Sequence, residues 1–360
     1  MKSTILTEFA MCHFTRCSAV LLLLGLIQPA SAQVQYKIEF VEKQTVTATL
    51  VATSSFPNLE AKEWIAFAAI APELPGQKNV KTTFDFTTAE TVTELGPLAR
   101  PVMLARVPAK SDDLKTKLSM KVQYTATLNS RHLAVAGDGV ASEVAPLTAS
   151  ESVASLAEFG DVDFKTPAFQ KWLKSAGYVR RKTEGEMPFA RRVFLGLRGS
   201  HTYDYKTDMD RKASIVCDAG KSDCGGLSLL FTAVMRANEI PARTLFGRWA
   251  ISAKADDKIG AIAYYQWHVR AEFYAATVGW VPVDLATSIQ HDKSKDGLEQ
   301  FGHDAGDFLT LHIDANLELD TVTFGKKTTH NLQGPIFWVS GSGKMDKRTD
   351  KESWLVEVKK

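Results

Sequence analysis

The chain has 360 residues, a formal net charge of +2 at pH 7 and 45% hydrophobic side chains. That is ordinary globular composition, with length enough for two domains that each bury a core. The near-neutral balance leaves no electrostatic footprint for nucleic acid. The local basic clusters Arg180-Arg181-Lys182 and Arg191-Arg192 fall in or beside helical patterns and read as solvated faces.

At the N-terminus, Lys2 and Arg16 mark a basic lead into the apolar run Cys17–Ile27, and "QPASA" then ends in Ala30 and Ala32. This is the pattern of a secretory signal over residues 1–32, cleaved after Ala32. The run is too short for a spanning helix, which needs about 20 apolar residues, and no later stretch is apolar enough to cross a bilayer. Absence of a cysteine just past the cleavage site argues against a lipid anchor. The expected location is therefore periplasmic or secreted. Of four cysteines, Cys12 and Cys17 leave with the leader, so the mature chain keeps Cys217 and Cys224. An exported domain held by disulfides usually carries more. The two are either free thiols or a bridge formed in an oxidising compartment, which would silence Cys224.

From Val34 to about Leu133 the pattern is β. "VQYKIEFVEKQTVTATLVA" alternates, and "EWIAFAAIA", "KTTFDFTTAETV", "PVMLARV" and "KLSMKVQYTATL" follow, punctuated by "PELPGQ" and "LGPLARP". Such a run predicts a β-sandwich over residues 33–155, a platform or binding module whose partner the sequence does not name. An Ala-, Ser- and Gly-rich connector then leads to the boundary near residue 155.

Helices come next. Thr166 caps a helix with Pro167 at its first position, and Phe169, Trp172, Leu173 and Ala176 form its apolar face before Gly177. A second helix spans about Glu186 to Arg198. In the third, Leu227, Leu230, Phe231 and Val234 follow helical spacing, and Pro241 ends it. Strands return in "ARTLFGRWAIS", "YYQWHVRAEFYAA" and "GWVPVDLA". Helices followed by an antiparallel sheet predict an α+β catalytic domain over 156–315. Residues 316–360 read as further strands extending that sheet.

Three residues carry the chemistry. Cys224 opens the third helix, where unpaired N–H groups and the helix dipole favour a thiolate. Asp223 is its N-cap, and Gly225-Gly226 keep bulk from the sulfur. His268 lies on the polar face of an alternating strand with Arg270 and Glu272. Asp284 follows on the next strand, an even number of residues away, so a short turn sets both side chains on one face within about 4.5–8 Å. A Cys–His–Asp triad is the expectation, with N–H groups at the helix start, including that of Cys224, as oxyanion donors. Tyr203, Tyr205 and Gln266 are further oxyanion candidates, each set against packing or surface roles. Arg243 and Arg270 are read as ordering the sheet by ion pairing, with Glu272 as a partner. His201, His291, His303 and His312 lack metal spacing, and "SKDGLEQ" lacks the pattern of a calcium loop. Neither a metal nor a cofactor is expected.

The ordered segments "DCGGLSLLFTAVMRANEIPAR" and "QWHVRAEFYAATVGWVPVD" resemble the transglutaminase-like superfamily over roughly residues 160–315. The resemblance implies a papain-like α+β fold in which Cys224, His268 and Asp284 match the catalytic positions. Animal cross-linking relatives use calcium. The chain departs where bacterial members commonly have glycine: it has Ser222 before the Asp-Cys pair, and Glu239 before Ile-Pro-Ala-Arg, leaving Asn238 to take a left-handed turn. The expected activity is attack on an amide bond of a protein, peptide or cell-wall peptide through a thioester. Hydrolysis (a protease or amidase) is favoured over cross-linking, since nothing marks a tunnel that excludes water. The competing reading is a binding or scaffold protein in which the β-sandwich does the work.

Overall fold

In the computed structural model, residues 34–137, 144–251, 258–259, 262–263 and 266–359 are described. The expected leader and its cleavage site lie outside them. Alternation of small β-branched and apolar residues gives two long paired strands, Tyr36–Ser55 and Lys117–Val135, in antiparallel register with one irregularity between Glu42 and Gln44. Gln77–Phe84 joins the same sheet on Lys117–Val135. A second antiparallel sheet is built from Leu59–Ala69, Pro101–Pro108 and Glu90–Thr93. One core lies between the two sheets, with Val46, Leu50, Trp64, Phe67, Leu104, Met120 and Tyr124 buried in it.

The C-terminal strands correct one expectation. Phe308–Ile313 does join the sheet of the second half, by pairing with Ala242–Trp249. The last two strands do not. Ile336–Gly343 pairs with Leu59–Ala69, and Thr349–Lys359 pairs with Tyr36–Ser55. Trp354 decides the outcome physically: its large apolar ring is buried in the core of the N-terminal sheets, and its indole N–H donates to the Trp249 carbonyl at 2.8 Å. Gln35–Lys360 form one compact unit.

The second half is α+β. Its four-stranded antiparallel sheet runs in the order Gly279–Val283, Trp267–Ala275, Ala242–Trp249, Phe308–Ile313. Against it pack the helices Pro167–Ser175, Glu186–Ser200, Ala213–Ala219 and Cys224–Ala237. Thr166 caps the first of these, accepting from the Phe169 N–H, and Pro167 sits where no N–H is needed. The expected connector contains one more helix, Ala149–Leu156, started by a capping box between Thr148 and Glu151. Among the described residues no helix is long and apolar enough to cross a membrane.

The Cys224–Ala237 helix, here the cysteine helix, is buried on all sides from Gly225 to Arg236. Its apolar stripe faces the helical core. Its polar residues are buried too, at Ser228, Thr232 and Arg236, one helical turn apart. Ser228 Oγ donates to the Val269 carbonyl at 3.1 Å, Thr232 and Thr244 hydroxyls meet at 2.9 Å, and Arg236 Nη2 reaches Asp314 at 2.6 Å. A helix buried all round must pair every polar group it carries, and this row stitches it to the sheet. The helix ends at Asn238, and the left-handed residue is Glu239 (φ 59°), not Asn238 (φ −111°). The backbone keeps the conformation a glycine would take. Asn238 instead spends its side chain on the turn, accepting from the Arg180 N–H and donating to the Tyr178 and Val234 carbonyls.

Candidate active site

Cys224 is the first residue of the cysteine helix. Asp223 caps it, accepting from the Gly226 N–H at 3.1 Å. Cys217 and Cys224 are both free thiols, Cys217 buried and Cys224 half-buried. The thiol of Cys224 is not poised as thiolate by its helix alone. Burial, then the carboxylates of Asp223 and Asp284, push it up to about 12, while the backbone amides of Val269 and Gly225 pull the other way as donors to the sulfur. The sulfur therefore lies against the Trp267–Ala275 strand one residue past His268. Burial likewise raises Cys217, to about 11.

That histidine strand pairs with Ala242–Trp249 on one side and Gly279–Val283 on the other. The turn after Ala275 closes without a register shift, with Ala275 opposite Gly279 at φ 90°. Even parity is kept, and the His268 and Asp284 side chains meet at 2.7 Å, Nε2 to Oδ2. Asp284 does more than end its strand. It caps the helix Leu285–His291, accepting from the Thr287 N–H at 2.9 Å, and accepts from Arg270 Nε at 3.1 Å. Burial alone would raise its carboxyl. His268, Arg270 and the Thr287 N–H together hold it well below the usual carboxylate range. An ionised carboxylate only accepts, so His268 Nε2 carries the proton it donates, and in the neutral imidazole Nδ1 is then the acceptor nitrogen.

The polar face of this strand is buried: His268 is 7% exposed and Trp267, on the other face, 46%. His268 stacks on Trp249 with centroids 4.7 Å apart and meets Phe308 edge-on. Arg270 lies over the Trp249 and Phe308 rings and binds Asp304 at 3.0 Å and Asp307 at 3.4 Å. Arg131, from the N-terminal strand Lys117–Val135, binds Asp304 at 2.7 Å and also Glu272, which Arg243 holds at 2.6 Å. Ion pairing by Arg243 and Arg270 matches the sequence reading. The reach of the chain of charges into the N-terminal sheet does not show in the sequence, because Arg131 and Asp304 come from distant segments.

The histidine strand is braced from behind. Gln333 donates to the Gly247 carbonyl at 2.7 Å and to the His268 carbonyl at 2.8 Å. Arg248 is fully buried, binds Glu352 of the last strand at 2.7 Å and ties up the Gln266 amide oxygen at 3.0 Å. Of the other oxyanion candidates, Tyr205 is exposed and Tyr203 packs against the helical core. His312 is structural: it stacks on Phe246, accepts from the Leu332 N–H, and burial followed by the Arg100 charge lowers it to about 3. Among the described residues no group of three or more His, Cys, Asp or Glu side chains is placed to hold a metal ion.

Residues 174–285 match the family model described as the transglutaminase-like superfamily. The likeness to that superfamily covers this segment, termed here the transglutaminase-like core. It contains Cys224, His268 and Asp284, while the N-terminal sheets and the C-terminal strands lie outside it. Among curated proteins, one from Haemophilus influenzae is 37% identical over 79 residues, covering 18% of this chain and 21% of that protein. The chain thus aligns with about a fifth of that relative's length. Among solved structures, a candidate cysteine protease from Cytophaga hutchinsonii superposes with a TM-score of 0.51 at 12% identity, over 88% of this chain and 93% of that one. It shares the fold beyond the transglutaminase-like core. The periplasmic domain of TgpA from Pseudomonas aeruginosa aligns with a TM-score of 0.32 at 13% identity, over 76% and 94% of the two chains.

Proposed function

We propose that the protein is an exported thiol enzyme that cleaves amide bonds through Cys224, His268 and Asp284. The observation that carries this reading is the 2.7 Å contact from His268 Nε2 to an ionised Asp284, with the Cys224 sulfur against the adjoining Val269 amide. Asp284 fixes the tautomer, so Nδ1 is the nitrogen that takes the thiol proton. The sulfur attacks the amide carbonyl carbon, and the oxyanion forms against N–H groups at the start of the cysteine helix. Each such donor contributes about 2.7–4 kcal/mol to the transition state. The imidazolium returns its proton to the departing nitrogen, the C–N bond breaks, and a thioester remains on Cys224. Water, deprotonated by Nδ1, then releases the acid and restores the thiol.

Proton transfer and attack are coupled in this scheme. A thiol raised by burial and two carboxylates does not ionise alone near neutrality, whereas the imidazolium formed beside it offsets that charge. Hydrolysis is favoured over transfer to an amine because, among the described residues, no feature marks a tunnel that would keep water from the thioester. Export rests on the leader pattern of residues 1–32, and the substrate class is a protein, peptide or cell-wall peptide. The test is trapping: the reduced protein is mixed with peptide or cell-wall fragments, quenched in acid and weighed. An adduct on the peptide containing Cys224, lost in Cys224→Ala and released by water faster than by added amine, is the expected result. Turnover by Cys224→Ala equal to wild type would falsify the assignment.

A further inference from the structure

The cysteine helix begins with a conflict. Its cap, Asp223, places a carboxylate next to the residue whose sulfur becomes negative during acylation. A capping aspartate helps the helix but opposes a neighbouring anion, and Asp284 adds a second carboxylate to the sulfur's surroundings.

Arg211 answers the conflict. It comes from the segment just ahead of the Ala213–Ala219 helix and lies along Asp223, Nη2 at 2.6 Å and Nε at 2.9 Å from Oδ2. Its other donations go to the Met209 carbonyl at 3.2 Å and the Lys206 carbonyl at 3.4 Å. The guanidinium is thus committed to this bracket and is not held in reserve for substrate. It is also placed over the helix start. A Cβ on Gly225 would stand 3.2 Å from Arg211 Cδ, so glycine at 225 lets the arginine lie across the first turn. The side chain is 18% exposed, and the Cys224 sulfur is within its electrostatic reach. The charged and titratable groups facing the sulfur or its cap are Asp223 itself, Arg211 from the preceding segment with Tyr205 beside Arg211, His268 from the strand, and Asp284 with its partner Arg270.

We infer that Arg211 is a positioning residue for the thiol: by offsetting the charge of Asp223 across the first turn, it weakens the opposition that the helix cap presents to the thiolate. This rests on the catalytic reading above. Arg211 touches neither the sulfur nor the substrate. It acts through the carboxylate it holds.

The test is the pH dependence of iodoacetamide alkylation at Cys224, read by mass spectrometry of the peptide, with melting temperature as a folding control. Arg211→Gln leaves Asp223 uncompensated and is expected to move the alkylation midpoint up by about one pH unit, a roughly tenfold slower reaction at pH 7. Arg211→Lys keeps the charge and recovers most of that loss. Asp223→Asn still caps the helix and is expected to move the midpoint down. The double variant, with both charges gone, returns close to wild type. An unmoved midpoint in folded Arg211→Gln, or a lysine variant as slow as the glutamine one, overturns the inference. Should Arg211→Gln fail to fold, Asp223→Asn decides it, since a midpoint that does not fall is equally fatal. His268→Ala in the same series separates the two readings: alkylation indifferent to His268 defeats the catalytic reading, whatever Arg211 does.

Discussion

Asp284 makes its position pay twice, capping a helix with one oxygen and holding His268 with the other. Only the second role needs a carboxylate, since a neutral amide oxygen also caps a helix. Asp284→Asn puts an amide N–H where the imidazole needs an acceptor and favours the wrong tautomer, so kcat is expected to fall by about 10⁴, with KM little changed and the fold retained. Steady-state kinetics on the trapped substrate, with circular dichroism, checks this; a loss confined to KM would count against the tautomer argument. The placement of Cys224 at a helix start and the meeting of His268 with Asp284 were legible, from a capped apolar stripe and from strand parity. The state of the thiol was not. A helix dipole argues for ionisation, yet burial and the carboxylates of Asp223 and Asp284 outweigh it, and none of that environment shows in the spacing of Cys224. Arg270 was legible as a sheet-ordering arginine, but its contact with Asp284 was not, because that needs the register of two strands.

The elements that sequence reading found are those with caps and periodicity: Thr166-Pro167 ahead of Pro167–Ser175, and the apolar stripe of the cysteine helix. It missed Ala213–Ala219 and Leu285–His291, helices too short to show a repeat. It also took one stripe of the cysteine helix as the whole of its packing, because Ser228, Thr232 and Arg236 look solvent-facing until the sheet behind them is known. The helix start yields a prediction of its own. A Cβ at Gly226 would overlap Ser222 Oγ and stand 3.1 Å from Val216 Cγ2, and Ser222 is fully buried. Ser222, which stands where relatives commonly have glycine, therefore makes Gly226 obligatory. Gly226→Ala gains helix propensity worth about 1 kcal/mol but overpacks a buried site at a cost of about 1–3 kcal/mol. Overpacking is expected to win in the wild-type background. In a Ser222→Gly background the overlap is gone and the same change becomes close to neutral. Urea unfolding of the four proteins decides it, and equal costs in both backgrounds would show that Ser222 is not the obstacle.

Across the whole molecule, the N-terminal sheets and the transglutaminase-like core are joined by charge as well as by apolar packing. Asp284, Arg270, Asp304, Arg131, Glu272 and Arg243 form one buried chain of ion pairs, and Arg131 is its member from the N-terminal sheet. Sequence alone could not show this, since Arg131 and Asp304 are separated by 173 positions and meet only because His303–Asp304 pairs with His132–Arg131. The chain makes stability depend on pH with a definite sign. Burial alone would raise Asp304 and Glu272, but their arginines hold both below the usual carboxylate range. Groups depressed in the folded state contribute stability that is present above their unfolded values, about 3.9 for Asp and 4.3 for Glu, and lost as pH falls through the folded ones. The contribution of these ion pairs is therefore expected to be flat from pH 7 to about 5 and to fall below about 4, on top of a decline below about 6.5 from His312, which burial keeps neutral in the fold. Arg131→Met removes the cation shared by Glu272 and Asp304, leaving buried carboxylates short of a partner, and is expected to cost about 3–5 kcal/mol at pH 7. That deficit should shrink as pH drops below about 4, where the same carboxylates take up protons in either protein. Urea unfolding of the two proteins at pH 7, 5 and 3.5 measures it; a deficit that stays constant over this range would mean that Arg131 acts by packing and not by its charge.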